Sequence, residues 1–392
     1  MGVEQPLFLH EDVLPAIPSG WVWSRSDSVV IQRKPGKLFD TNTVAATGAV
    51  PVLNQSESGV LGYHDEEPGV VASAVAPVVT FANHTCAMRL VKHPFSAIQN
   101  IFPKVGKQGV CDTVWFYYAL LGRVRTNEYK GHHPLFRDAF VPVPPLAVQR
   151  RIASILSTYD DLIENNTRRI AILEEMARRI YEEWFVRFRF PGHEGVRMVE
   201  SDLGLVPEGW TCSDVARAVQ RFGTGQKYDL KTVMSAGRVP VLDQGRQGVI
   251  GYHNDEPGFV ASRADPVIVF ANHTCYQRLI YEPFSTIQNV IPYKSSSAFQ
   301  RDLYWVYHAT LGLVSLTEYK GHWPQFEAKK IMVPTVRVTL AFGQIVRPLH
   351  ELAYTLAFAN ANLRTTRDLL LPKLISGELQ VSAVPEQEAL AA

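Results

Sequence analysis

Residues 51–73 read PVLNQSESGVLGYHDEEPGVVAS, and residues 240–262 read PVLDQGRQGVIGYHNDEPGFVAS. At an offset of 189 the match runs without a gap over 51–104 and 240–293, with 32 identities in 54 positions. Chance does not produce that agreement, so the chain contains an internal duplication. The match extends outward. Pro18, Gly20 and Trp21 recur as Pro207, Gly209 and Trp210, and Glu128-Tyr-Lys-Gly-His132 recurs as Glu318-Tyr-Lys-Gly-His322. A unit of about 190 residues therefore occurs twice, too long for a solenoid repeat and suited to a duplicated domain plus a connector.

The connectors differ in kind from the domains. Over 145–187, apolar residues fall at Ile152, Leu156, Tyr159, Ile163, Ile170, Leu173 and Ile180, an alternating three–four spacing. That spacing predicts a long amphipathic helix with one apolar seam. Phe342, Val346, Leu349, Leu356, Leu363 and Leu370 repeat the seam over 335–379, and Pro372 is expected to break or kink this helix near its end. About 40 residues of helix span roughly 60 Å, and neither stripe can bury itself alone. The economical solution is an antiparallel coiled coil of the two helices.

Within each domain, Pro77–Phe81 and Pro266–Phe270 read as short buried strands, and Trp115–Leu121 and Tyr304–Leu311 as buried helices. The expected fold class is α+β: two similar domains separated by two long helices, with pseudo-twofold symmetry. The expected boundaries are a first domain at 1–143, a helix at 144–190, a linker at 191–206, a second domain at 207–334, a helix at 335–379 and a flexible tail at 380–392.

Composition narrows the function. The chain of 392 residues has 39 Lys+Arg against 38 Asp+Glu and is 46% hydrophobic. It can fill real cores, and it lacks the polybasic character of a strong counterion-release DNA binder. No apolar run approaches the length of a membrane span, Met1–Pro6 has no basic residue of a leader peptide, and four cysteines without a C-x-x-C pair form no disulfide framework. A cytoplasmic location is expected, with no membrane partner. No phosphate-binding G-x-x-x-x-G-K-[ST] loop and no [ND]-P-P-[FY] tetrapeptide appears, so catalysis by this chain itself is not expected.

The order of strings carries a resemblance. The first long helix ends in Ile180-Tyr-Glu-Glu-Trp-Phe185, followed by Arg189-Phe-Pro-Gly-His-Glu194 and Leu203-Gly-Leu-Val-Pro-Glu-Gly-Trp210. The second ends in Leu370-Leu-Pro-Lys-Leu-Ile-Ser-Gly-Glu-Leu379. Over about residues 10–380 this resembles the specificity subunit of a type I restriction-modification system. The resemblance implies two target-recognition domains, each reading one half of a bipartite DNA sequence, and helices that set the gap between the halves. It implies two partner methyltransferase subunits acting on adenine N6 with S-adenosylmethionine. Where restriction occurs, a motor-nuclease subunit uses ATP and Mg. The chain itself would bind double-stranded DNA and no cofactor.

Candidate DNA contacts follow from duplicated polar positions. Lys130, His132 and His133, with Lys320, His322 and Trp323, form Gly-flanked loops suited to a phosphate and a groove edge. Asn83 and His84 match Asn272 and His273; Arg89 matches Arg278; Gln55 matches Gln244. Arg246 and Arg263 are candidates because the first copy carries Glu57 and Ala74 there, differences that can alter a base. The His-x-Cys pairs at His84/Cys86 and His273/Cys275 invite a zinc or thiol reading, but a closed zinc site wants four ligands with paired spacing, so no metal is expected. Near-identical readers imply a nearly palindromic target. Two alternatives stay open: the recognition subunit of a type IIB-like or phage-exclusion methylation system, and a duplicated protein- or sugar-binding scaffold.

Overall fold

The computed structural model describes residues 10–56, 59–125, 131–201, 204–223, 225–245, 248–316, 318 and 320–381. The chain divides into two compact units. Unit 1 joins Met1–Asn165 to Asn360–Ala392, and unit 2 is Asn166–Ala359. Both divisions fall inside long helices, Leu146–Tyr181 and Val336–Ser376. Each helix therefore contributes one half to each unit.

Unit 1 is built on the apolar strand Val78–Ala82, every residue of which is buried. It sits inside a four-stranded antiparallel sheet ordered Val30–Gln32, Ile101–Gly106, Val78–Ala82, Met88–Val91. A smaller sheet pairs Val50–Leu53 antiparallel with Val60–His64 and parallel with Ser96–Ala97. The helix Thr113–Leu120 closes the core with Trp115 and Phe116, both fully buried. Its N-cap is Asp112, whose Oδ1 accepts from the Trp115 N–H at 2.8 Å. Each such buried aromatic contributes about 1.5–3 kcal/mol by leaving water.

Unit 2 repeats this order. Val267–Ala271 is wholly buried between Val290–Ser295 and Gln277–Ile280, and Val219–Arg221 adds the outer strand. Asp302 caps the helix Leu303–Thr310. Even the irregularities recur. The register slips between Val52 and Leu53 and again between Val241 and Leu242. Cys86 and Cys275 both take left-handed backbone, at φ 57° and 58°. One difference is a short strand, Lys227–Tyr228, pairing parallel with Ser285–Ile287 where unit 1 has only an isolated bridge from Leu38 to Ala97.

The helix halves pack onto these cores. In unit 1, Ile152 and Leu156 share a cluster with Leu371, Leu374 and Ile375. Residues 146–165 run antiparallel to 360–376 there: Arg367 bonds Asp160, and the buried Asn360 Nδ2 donates to the Ile163 carbonyl at 3.2 Å. In unit 2, Phe342 meets Tyr181, Trp184 and Phe185 at ring distances of 6.1, 6.0 and 5.0 Å. Of the expected seam positions, Ile152, Leu156, Ile163, Phe342, Val346 and Leu356 are buried. Tyr159, Ile170, Leu173, Ile180, Leu349, Leu363 and Leu370 are half-buried.

One expectation is corrected. Pro372 does not break the second helix, which continues to Ser376 and also contains Pro348. A proline removes a single N–H from the ladder, and at 372 the loss falls within the last two turns. The 191–206 connector is more than bare chain, because Met198–Ser201 pairs antiparallel with Gly204–Pro207.

Candidate nucleic-acid interface

The duplicated polar residues gather at the end of the buried strand, and most of them bind the protein itself. In unit 1, Asn83 Oδ1 accepts from the His133 N–H at 2.9 Å, and its carbonyl accepts from the His132 N–H at 2.9 Å. Asn272 does the same for Trp323 at 2.7 Å and His322 at 2.9 Å. The loop glycine before each pair permits this approach. A Cβ on Gly131 would lie 3.0 Å from Asn83 Nδ2, and one on Gly321 would lie 2.8 Å from Asn272 Nδ2. Gln55 Oε1 accepts from the His84 N–H at 2.9 Å, and Gln244 Oε1 from the His273 N–H at 2.8 Å. These amides splice three loops into one rim.

The two arginines serve the same rim. Arg89 Nη1 donates to the Asn54 carbonyl at 2.8 Å and Nη2 donates to the Ser56 carbonyl. Arg278 Nη2 donates to the carbonyls of Asp243 at 3.0 Å and Gly248 at 3.4 Å. Both guanidiniums are held below their ordinary range by burial. They tie down the backbone that follows Leu53 and Leu242.

His132 and His322 are buried at 1% and 0% exposure, beneath the rim rather than on it. His322 Nε2 lies 3.1 Å from the Glu318 carbonyl. His133 stacks on Phe102 at 3.9 Å, and burial, then the Lys104 charge, push its pKa down to about 4. Lys104 is 3% exposed, donates to Gln32 Oε1 at 3.1 Å and is pushed down to about 8 by burial. Unit 2 replaces these two by Tyr293 and Trp323, whose rings lie 5.7 Å apart. Lys320 pairs with Glu318 at 3.1 Å, and Arg263 lies over the Tyr354 ring at 5.7 Å. Lys130 and Arg246, with Glu57, lie outside the described residues.

The His-x-Cys pairs do not converge on a ligand. Burial raises the Cys86 thiol to about 11 and also raises Cys275. Among the described residues there is no group of three or more His, Cys, Asp or Glu placed to hold a metal. His64 and His253 are also committed inward, each ring within 2.9 Å of a serine Oγ (Ser96 and Ser285) that accepts from a glycine N–H.

What projects outward is a different set. Gln99 and Gln288, at equivalent turns, are exposed and carry no hydrogen-bonding partner among the described residues. An exposed carboxamide offers the paired donor and acceptor that fit an adenine edge. In unit 2 a cleft runs past Gln288, with Arg221 and Trp323 in one part and Lys227 and Lys231 in the next. Sequence reasoning passed over Lys227 and Lys231 because they lie upstream of the gap-free match over 51–104 and 240–293.

No protein-family model matches the chain. Curated relatives do. The chain is 26% identical over 343 residues to the type I restriction enzyme MjaIX specificity subunit of Methanocaldococcus jannaschii, covering 74% of each chain. It is 22% identical over 284 residues to the putative MjaX specificity subunit of the same organism, covering 67% of this chain and 65% of that one. Among solved structures, the S subunit of a type I restriction-modification system from M. genitalium aligns over 93% of this chain and 97% of its own, with a TM-score of 0.60 and 15% identity. The resemblance read from the sequence strings is borne out: the relatives are type I specificity subunits, and the chain has the fold of one. Among the described residues no helix is long and apolar enough to cross a membrane.

Proposed function

We propose that this chain is the non-catalytic DNA sequence-recognition subunit of a type I restriction-modification complex. It reads a bipartite, nearly palindromic target and positions two adenine-N6 methyltransferase subunits. One observation carries the reading: the same loop rim, with the same amide splices and left-handed residues, is built twice on one chain. Two like readers suit two like half-sites on opposite strands of a duplex. The specificity subunits among its relatives support the assignment. The two long helices, packed as an antiparallel coiled coil, serve as the spacer between half-sites. S-adenosylmethionine belongs to the methyltransferase partner, and ATP with Mg to a motor-nuclease partner where restriction accompanies modification. The setting is the cytoplasm.

The test is long-read methylome sequencing of cells carrying and lacking the gene. The expected result is N6-methyladenine in two related half-sites in inverted orientation, separated by a fixed unread gap. Two unrelated half-sites would refute the near-palindrome. No change in methylation would refute the DNA assignment, and specific retention of a protein or glycan ligand would then favour the scaffold alternative.

A further inference from the structure

The two units share a scaffold but not a surface charge, and one difference falls in a cleft of unit 2. Two cavities of unit 2 adjoin at Lys227, Ile287 and Gln288, which line both, and together they are here called one trough. Three cations line it: Arg221, Lys227 and Lys231, all exposed. None has an ion-pair partner among the described residues; Arg221 lies over the Trp323 ring at 5.8 Å. The trough also contains Asp229 and Asp243, but each is turned toward its own loop. Asp229 Oδ1 accepts from the Lys231 N–H at 2.9 Å, and Asp243 Oδ1 accepts from the Gly245 N–H at 2.8 Å.

At the equivalent positions unit 1 has no cation. Gln32, Leu38 and Asn42 stand in place of Arg221, Lys227 and Lys231, and Asn54 stands in place of Asp243. Unit 1 has basic residues near this stretch, but they go elsewhere. Lys37 is bound to Glu66 at 2.5 and 2.7 Å, and Arg33 and Lys34 line a separate cavity beside Asp112. Three cations against two carboxylates in one unit thus face none against one, Asp40, in the other. Free, flexible cations along a trough are suited to a row of phosphates, and an exposed carboxamide between them to a base edge.

We infer that the Arg221–Lys227–Lys231 trough of unit 2 is a DNA-backbone clamp that unit 1 lacks, with Gln288 at its centre facing a base. The inference rests on the DNA-recognition reading and adds an inequality to it. Both half-sites are read by similar rims, but the half under unit 2 supplies most of the electrostatic grip. Arg221 and Trp323 form its inner end, and Lys227 and Lys231 its outer.

The test uses the full chain. Wild type is compared with Arg221→Gln/Lys227→Leu/Lys231→Asn, which imports residues the same fold already accommodates in unit 1. Binding to a fluorescein-labelled duplex pool of mixed sequence, about 30 bp long, is followed by anisotropy from roughly 20 to 200 mM KCl. The triple variant is expected to show a log K against log salt slope shallower by about 0.9 for each phosphate it no longer neutralises, or about 1–3 in all. The reciprocal graft Gln32→Arg/Leu38→Lys/Asn42→Lys is expected to steepen the slope. Unchanged slopes in both variants, each with wild-type melting behaviour, would overturn the clamp and leave DNA recognition standing. A wild-type chain that binds no duplex even at the lowest salt would overturn the recognition reading itself.

Discussion

At the residue scale, duplication located the scaffold better than the surface. Asn83 and Asn272, Gln55 and Gln244, Arg89 and Arg278 are repeated because the same rim must be spliced twice, and the structure shows each of them bonded to backbone. Lys227 and Lys231 are unrepeated, and they lie outside the 240–293 match whose differences pointed to Arg246 and Arg263. A second unrepeated pair carries a pH prediction. His308 Nε2 lies 2.9 Å from His350 Nε2, where unit 1 has Tyr118 donating to Asp160 at 2.5 Å. Burial pushes the two imidazoles from the ordinary 6.5 down to about 3 and about 4. Below pH 6.5 the unfolded chain therefore takes up protons that the folded one refuses. Stability is full above that value and falls toward pH 4, by about 1.4 kcal/mol per pH unit for each histidine. The urea midpoint of wild type is expected to drop between about pH 7 and 5 more steeply than that of His350→Gln. Parallel declines would show that the pair is not responsible.

At the element scale, the apolar runs and the three–four seam were legible because a single period fixes each. Val78–Ala82 and Val267–Ala271 are buried throughout, as continuous apolar strands must be. The seam predicted the helices and six of their buried positions, whereas Pro372 misled because one missing hydrogen bond is small beside the burial of Leu371, Leu374 and Ile375 around it. The parallel pairing of Lys227–Tyr228 with Ser285–Ile287 could not be foreseen, since it joins segments almost 60 residues apart without a periodic signal. The proposed spacer role makes its own prediction. Four residues, about one turn, inserted into the seam near Asn166 are expected to lengthen the gap in the methylated motif and leave both half-sites unchanged. Altered half-sites at constant spacing would refute the ruler.

At the scale of the whole molecule, the near balance of 39 basic and 38 acidic residues argued against DNA. Residues 1–143 hold 12 of each sign and 207–334 hold 13 and 11, so the bulk count concealed where the free cations sit. Chain order has a consequence for how the protein is made. Unit 2 is one unbroken stretch, whereas unit 1 needs Leu371, Leu374 and Ile375 to complete the cluster around Trp115 and Leu156. On a translating ribosome the half that begins first must therefore finish last. Protease challenge of stalled nascent chains should find unit 2 resistant while unit 1 is still cut, and the reverse order would contradict this. The earliest-made domain spends most of synthesis awaiting its final turns of helix, a window in which exposed apolar strands such as Val78–Ala82 depend on chaperones or on speed.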